Sequence, residues 1–303
     1  MIELLKQAAE NKGDRLQMVP VGCLQHIKDE ITFFEENNEL NNFQKWIVTG
    51  LYNLTVPEAD FEVKSIIVAA VPHPAYAKVE FIRQGKLYRL ICPAASDLDA
   101  AREYITDLVV SEGYHLQPAP ALPLKRLAAK TGLGVYGRNN ICYNDKMGSF
   151  FSLIAFFTDI ECGSRIWKDI ESNEVCANCN ICYNECPTGA IGSDRFLLDN
   201  QKCLSLFNEG PGELPEWIPA SAHHCIYDCL KCQLKCPMNK EAVQNVVDPI
   251  RFSEEETERI LTCSSYEDLP LSIKQKAKIL GINQWFTAIP RNLNLLFELS
   301  RDT

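Results

Sequence analysis

The sequence predicts an α+β protein in which a layered N-terminal domain precedes a cysteine-rich domain and a helical tail. A short apolar run at residues 65–71 ends at Pro72, as a buried strand should, and helical patterns flank it. Residues 160–250 are dense in Cys, Asn, Pro and Gly and show little periodicity. A capping box at residues 253–256 then begins the last helices. We therefore expect domains at 1–160, 161–250 and 251–303.

The individual elements follow from periodicity and from helix start and stop signals. Ser96 is expected to cap a helix that runs to Glu112 and stops at Gly113. The pattern predicts further helices at 3–10, 22–37, 42–54, 124–131 and 289–297, a strand at 65–71, a hairpin at 78–93 and strands near 140–143 and 149–158. Helices before and between strands indicate a mixed α+β layered fold.

Bulk composition restricts the class of protein. The chain has 303 residues, 46% of them hydrophobic, which is enough for a real core. No run of 18 apolar residues exists, so no membrane span is expected. The chain begins as an amphipathic helix and not as a secretory signal, which with 14 cysteines predicts a cytoplasmic protein with reduced thiols. The formal charge of −10 disfavours binding to a phosphate backbone.

Eight cysteines fall in two near-copies of one motif. The first copy is C-x2-C-x2-C-x3-C-P, and the second is C-x2-C-x3-C-P preceded by one further cysteine. The eight are Cys176, Cys179, Cys182, Cys186, Cys203, Cys229, Cys232 and Cys236. Closely spaced cysteines can present thiolates to different irons of one cubane, and the cysteine before proline ligates the other cluster in two-cluster ferredoxins. The motif predicts two 4Fe–4S clusters in a bacterial ferredoxin-like domain that transfers electrons.

Zinc is the main alternative for these cysteines. A zinc ribbon has two C-x2-C pairs about 15–20 residues apart, whereas the first motif here supplies four cysteines at once. In two-cluster ferredoxins the cysteine before each proline binds the cluster of the other motif. On this basis one cluster is bound by Cys176, Cys179, Cys182 and Cys236, and the other by Cys186, Cys203, Cys229 and Cys232. Cys225 competes with Cys203 for the second set. We prefer Cys203, because the exchange needs a ligand between the two motifs and Cys203 begins a predicted helix.

A glycine-rich stretch at residues 127–140 is the second informative segment. Gly132, Gly134 and Gly137 allow the backbone to approach a bulky ligand closely, although a helix C-cap followed by a tight turn explains them as well. The glycines follow a helix, so they are not the dinucleotide-binding fingerprint. The cysteine motifs begin some forty residues downstream, and we expect the clusters to form independently of this stretch.

Together with the cysteine motifs, this stretch resembles the epoxyqueuosine reductases, a cobalamin-dependent family related to reductive dehalogenases. The resemblance covers roughly residues 124–240 and runs in one order through 127–140, 148–151, 158–159, 176–191, 199–205 and 226–237. It implies a cobalamin-type layered domain that receives electrons through the two clusters from a low-potential donor such as ferredoxin or flavodoxin. It also implies that five residues line the corrin, namely Gly132, Gly134, Gly137, Arg138 and Asn139.

The chain departs from the family where a proton donor is needed. The family carries a strand-end aspartate before the helix at 124–131, but residues 116–123 contain no acid here. A family segment with Asp and His should lie near residues 81–91, which contain neither. His115 and Tyr114 are the candidate proton donors, and the catalytic residue itself stays unassigned. With the acidic net charge, these departures disfavour tRNA as the substrate, while leaving it possible, and favour an unidentified small molecule.

Two functions are consistent with the sequence. The first is a cobalamin-dependent reductase that passes electrons through two 4Fe–4S clusters to the bound cobalamin. The second is an electron-transfer protein or reductive activator that hands its electrons to a partner protein and has no substrate chemistry of its own. The glycine-rich stretch favours the first function, and the missing acid favours the second.

Overall fold

A computed structural model describes residues 1–163, 167–170, 173–193 and 197–300 of the chain. It is a mixed α+β structure, as predicted, and it divides into two compact units. Unit 1 comprises residues 1–73 and 96–178, and unit 2 comprises residues 74–95 and 179–303. Within the described residues, no helix has the length and apolar character that a membrane span requires.

The helices and strands are numbered in chain order. The strands are β1 (Arg15–Pro20), β2 (Ser65–Pro72), β3 (Tyr76–Arg83), β4 (Lys86–Cys92), β5 (Leu116–Pro118), β6 (Val135–Tyr136), β7 (Cys142–Tyr143), β8 (Phe151–Thr158) and β9 (Val246–Phe252). The α-helices are α1 (Ile2–Lys12), α2 (Cys23–Glu36), α3 (Asn42–Trp46), α4 (Leu98–Ser111), α5 (Leu124–Lys130), α6 (Ile181–Glu185), α7 (Leu204–Glu209), α8 (Lys231–Leu234), α9 (Glu254–Thr262), α10 (Leu271–Leu280) and α11 (Ile289–Leu299). A π-helical turn, Ile47–Leu51, continues α3.

Unit 1 is a three-layer structure around an antiparallel sheet in the order β1-β2-β8-β5. Strand β2 is buried on both faces, which explains its continuous apolar sequence. Ile66 and Val68 pack in one core with residues of α2 and α5, whereas Ile67 and Ala69 pack in another with residues of α1 and α4. The alternation of side chains along β2 therefore divides unit 1 into its two cores.

Unit 2 contains a three-stranded sheet in the order β4-β3-β9, with helices α9, α10 and α11 sharing its core. The predicted hairpin turns at Gln84 and Gly85, both of which have positive φ. Strand β9 pairs in parallel with β3, and Phe252 stacks on Phe81 with ring centroids 4.8 Å apart. The cysteine motifs lie between these elements in sequence.

The structure corrects two sequence expectations. The division of the chain differs from domains at 1–160, 161–250 and 251–303, because the β3–β4 hairpin pairs with β9 and joins the C-terminal helices in one core. The N-cap of α4 is Asp97 and not Ser96, since the Asp97 side chain accepts the N–H of Ala100. Ser96 instead donates its hydroxyl to the carbonyl of Val71. The capping box at Ser253 and Glu256 is confirmed.

Candidate functional site

The two cysteine motifs are built on short helices. Helices α6 and α8 pack against each other. Cys186 follows the end of α6 in an extended conformation, and Cys236 is the extended N-cap residue of the next 3-10 helix. The sulfur of Cys186 accepts the backbone N–H of Ala190 at 3.2 Å. Each cysteine before a proline therefore leaves its helix immediately, as a ligand that serves a second cluster must.

Three of the predicted ligands influence one another electrostatically. Burial, with smaller contributions from Cys203, Asp228 and Cys186, raises the pKa of the Cys229 thiol to about 12. Burial also raises the pKa of Cys203, again with contributions from Asp228 and Cys186. Partly buried thiolates of like charge need a cation among them, and thiolate ligands are deprotonated by the metal that they bind. Cys186, Cys203 and Cys229 thus have the donor chemistry of a shared iron–sulfur site.

Cys225 has a different environment from Cys203. Its side chain is 1% exposed, and burial raises its pKa well above the ordinary thiol value. The thiol donates to the carbonyl of Tyr227 at 3.1 Å. Cys225 is thus a buried, protonated thiol, whereas Cys203 is the N-cap residue of α7 and is less buried. Among the described residues, no three His, Cys, Asp or Glu side chains converge on a single metal ion.

The histidine pair before the second motif is structural. His224 accepts the N–H of Leu230 at Nε2 and donates from Nδ1 to the carbonyl of Ala222. Burial lowers the pKa of both His223 and His224, which favours the neutral rings. The half-buried ring of His224 thereby supports the loop that carries Cys229.

The glycine-rich stretch folds as the end of α5 followed by the β6–β7 hairpin. Gly132 has φ +72° directly after the helix, which confirms the helix C-cap. A Cβ on Gly134 would lie 2.5 Å from Sγ of Cys142, and one on Gly137 would lie 2.7 Å from the ring of Tyr143. Neither space is open to a ligand. The chain's own packing therefore explains both glycines without a ligand.

The two polar residues of this hairpin are also engaged within unit 1. Asn139 is 3% exposed and donates to the hydroxyl of Tyr143 at 2.8 Å. Arg138 donates its backbone N–H to Sγ of Cys176 at 3.4 Å, and its guanidinium donates to the Cys176 carbonyl at 2.8 Å. The hairpin therefore contacts a predicted cluster ligand, although the cysteine motifs begin some forty residues downstream.

His115 lies at the start of β5, opposite the end of β8. The carboxylate of Asp159 accepts two hydrogen bonds from His115. One comes from the backbone N–H at 2.9 Å, and the other comes from Nδ1 of the ring at 2.8 Å. Burial alone would raise the pKa of Asp159, but these two hydrogen bonds lower it below the ordinary value. The imidazole stacks on Phe61 beside an open cavity of about 610 Å³, which Tyr114 also lines. Residues 116–123 form β5 and a loop without a carboxylate.

The C-terminal helix contacts the segment that carries Cys203. Asn292 of α11 is 2% exposed and donates to the carbonyls of Asn208 and Ile226, at 2.7 and 2.9 Å. Its neighbour Arg291 donates to the carbonyl of Phe207 at 2.6 Å. The sequence does not indicate that Asn292 binds these carbonyls, because a single asparagine in a helix gives no signal of distant partners.

Comparison with known families defines the class of the protein. A family model described as "4Fe-4S double cluster binding domain" matches residues 175–239. This range contains all eight predicted ligands. The chain is therefore a double-cluster iron–sulfur protein, and the prediction of two 4Fe–4S clusters over zinc is confirmed.

Its relatives are epoxyqueuosine reductases. The protein so named in Francisella cf. novicida is 32% identical over 168 residues, which are 55% of this chain and 45% of that protein. The one in Bacillus subtilis is 24% identical over 78% of this chain and 63% of its own length. The chain thus spans less than two thirds of these relatives. The predicted resemblance to the epoxyqueuosine reductases is confirmed by these matches.

Solved structures agree in fold over almost the whole chain. A selenomethionine-labelled epoxyqueuosine reductase has a TM-score of 0.67 at 19% identity, covering 99% of this chain and 82% of that one. Another epoxyqueuosine reductase, in complex with an epoxyqueuosine-modified tRNA stem loop, has a TM-score of 0.65 at 20% identity, covering 97% and 80%. The predicted fold class is confirmed by these likenesses.

Proposed function

We propose that the chain is an iron–sulfur reductase of the epoxyqueuosine reductase kind. Electrons from a low-potential donor such as ferredoxin or flavodoxin enter two 4Fe–4S clusters and serve the reduction of a substrate in the cytoplasm. One observation supports this proposal most strongly: the double-cluster domain lies in a chain that follows the epoxyqueuosine reductase fold over 99% of its length.

The two ligand sets remain those predicted from the exchanged fourth cysteine. Cys176, Cys179, Cys182 and Cys236 hold one cluster, and Cys186, Cys203, Cys229 and Cys232 hold the other. The mutual influence of Cys186, Cys203 and Cys229 supports the second set. In the first set, the hydrogen bonds that Cys176 receives support its place as a ligand.

Cobalamin is the cofactor that the resemblance implies for unit 1, and it supplies a strongly reducing cobalt when bound. Gly132, Gly134, Gly137, Arg138 and Asn139 stay the residues proposed to line it. Because their packing within unit 1 accounts for them already, substitution of these glycines is a poor test of corrin binding. Direct binding of the cofactor is the better measurement.

Epoxyqueuosine in tRNA is the substrate to test first. Relatives are named for this reaction, and one is solved with a modified tRNA stem loop. This revises the expectation from the missing family residues and the acidic net charge, which disfavoured tRNA. We propose His115 as the proton donor through Nε2, since the Asp159 carboxylate holds its Nδ1 by a hydrogen bond and Nε2 is left for the substrate. Tyr114 lines the same cavity and is the second candidate.

A reconstituted sample tests the proposal in two stages. Anaerobically reconstituted protein is mixed with hydroxocobalamin under reducing conditions, and a bound corrin spectrum is expected. A modified tRNA stem loop is then added, and the reduced nucleoside is measured in the wild type, His115→Gln and Tyr114→Phe. We expect His115→Gln to slow turnover about 10²-fold or more, with Tyr114→Phe close to the wild type.

The second candidate function is electron transfer to a partner protein. The absence of a carboxylate in residues 116–123 favours it, because the strand-end acid of the family has no counterpart there. Reducible clusters without any corrin binding would support this function and contradict the first. Corrin binding without reduction of the stem loop would leave the cofactor in place and exclude the tRNA substrate.

A further inference from the structure

The β6–β7 hairpin makes two hydrogen bonds to one cysteine that lies 38 residues further along the chain. The backbone N–H of Arg138 donates to Sγ of Cys176 at 3.4 Å, and Nη2 of the same residue donates to the Cys176 carbonyl at 2.8 Å. The first bond acts directly on the sulfur that would bind iron. The second fixes the backbone of Cys176 and brings a permanent cation to it.

The hairpin is rigid enough to aim this N–H group. Gly137 donates its N–H to the carbonyl of Ile141 at 2.9 Å, and Asn140 closes the turn with φ +59° and a bond to the Gly137 carbonyl. Beneath the turn, the buried Asn139 is bonded to the Tyr143 hydroxyl. The absence of a side chain at Gly137 lets the ring of Tyr143 pack against the turn.

A second contact brings the cysteine segment to the hairpin. The N–H of Asn173 donates to the carbonyl of Tyr136 at 2.9 Å, and the Asn173 side chain caps the 3-10 helix Glu174–Cys176 by accepting the N–H of Val175. Cys176 is therefore held from both sides of its short helix. The sulfur of Cys186, in contrast, accepts an N–H from Ala190, only four residues away.

We propose that the β6–β7 hairpin sets the reduction potential of the one cluster bound by Cys176, with Arg138 as the positioning residue. This inference rests on the proposed function, in which Cys176 is a cluster ligand. Reduction adds one electron to the cubane and breaks no bond. The extra negative charge is stabilised by an N–H dipole at a ligand sulfur and by the nearby guanidinium, so both raise the potential of that cluster.

Potentiometric titration of the reconstituted protein tests this inference. Samples are poised with dithionite, and the reduced clusters are followed by electron paramagnetic resonance. In Arg138→Ala we expect one of the two midpoint potentials to fall by about 59 mV, which is a tenfold change for a one-electron couple. The midpoint of the other cluster should not move, and it serves as an internal control.

Two further variants complete the experiment. Arg138→Lys keeps the cation but loses the guanidinium geometry, and it should shift the same midpoint in the same direction by a smaller amount, with normal iron content. Arg102→Ala removes a cation of unit 1 that pairs with Asp99 on the exposed surface of α4, and neither midpoint should change. Unchanged midpoints in both Arg138 variants, or equal shifts of both clusters, would overturn the inference. A wild-type protein without iron would instead contradict the proposed function.

Discussion

Two cysteines, Cys203 and Cys225, compete for one ligand position of the second cluster. Cys225 is buried, hydrogen-bonded through its thiol to a backbone carbonyl and strongly protonated. Cys203 begins α7, and it influences the titration of Cys229 and is influenced by Cys186. A metal-bound cysteine must lose its proton and reach other thiolates. The deeper burial of Cys225 and the hydrogen bond of its thiol favour Cys203 as the ligand.

Replacement of each cysteine by serine should separate the two roles. We expect Cys203→Ser to lose about four of about eight irons per chain, because one cubane loses a ligand. Cys225→Ser should keep both clusters and is the matched control in the same segment. Iron analysis and visible absorbance make the measurement. Full iron content in Cys203→Ser, or loss of iron in Cys225→Ser, would show that the ligand assignment is wrong.

At the scale of single elements, α11 does more than fill the core of unit 2. Its first turns place Arg291 and Asn292 against backbone carbonyls of residues 207–212 and of Ile226, which adjoin Cys203 and Cys229 in the chain. A buried asparagine that satisfies two carbonyls stabilises loops that have little hydrophobic core of their own. The sequence predicts only a helical tail here, and the structure adds this polar role.

Asn292→Ala should therefore destabilise unit 2. Its loss leaves buried carbonyls without donors, and we expect the free energy of unfolding to fall by about 1–3 kcal/mol. Asn294→Ala, on the same helix but at a half-buried position, is the matched control and should change stability little. Denaturant titration of reconstituted protein measures both variants. Equal stability of the two variants would contradict the role given to Asn292.

At the scale of the whole molecule, iron–sulfur clusters compensate for a weak core. Residues 160–250 are poor in periodic apolar sequence, and among those that the structure describes Leu204, Ile218 and Ala222 form a small local core. The three large cores lie mainly in the sheets and helices on either side in sequence. Metal binding adds folding free energy to a segment that its side chains cannot stabilise alone.

Reconstituted protein should hold about eight irons per chain in two cubanes. Removal of the clusters by a chelator should unfold residues 173–240 first and leave the sheet of unit 1 folded, because that sheet has its own two cores. Hydrogen exchange before and after chelation measures this order. Stoichiometric zinc without iron absorbance, or uniform loss of protection, would be the contrary result.

The sequence by itself determined the elements whose causes are local. The continuous apolar run of β2, the turn at Gln84 and Gly85, and the capping box at Ser253 depend on neighbouring residues and were predicted correctly. The cysteine spacing determined the two clusters for the same reason, since short loops fix which sulfurs can meet one cubane.

Only the tertiary structure decided the features that depend on distant partners. Strand β9 pairs with β3, which lies more than 150 residues earlier in the chain. This pairing makes the β3–β4 hairpin part of unit 2. Gly134 and Gly137 indicated that some group packs closely against the backbone, but the sequence did not identify that group. The structure shows that the side chains of β7 pack there. Arg138 and Cys176 are likewise joined by folding alone, because hydrogen bonds between distant segments leave no periodic trace in the sequence.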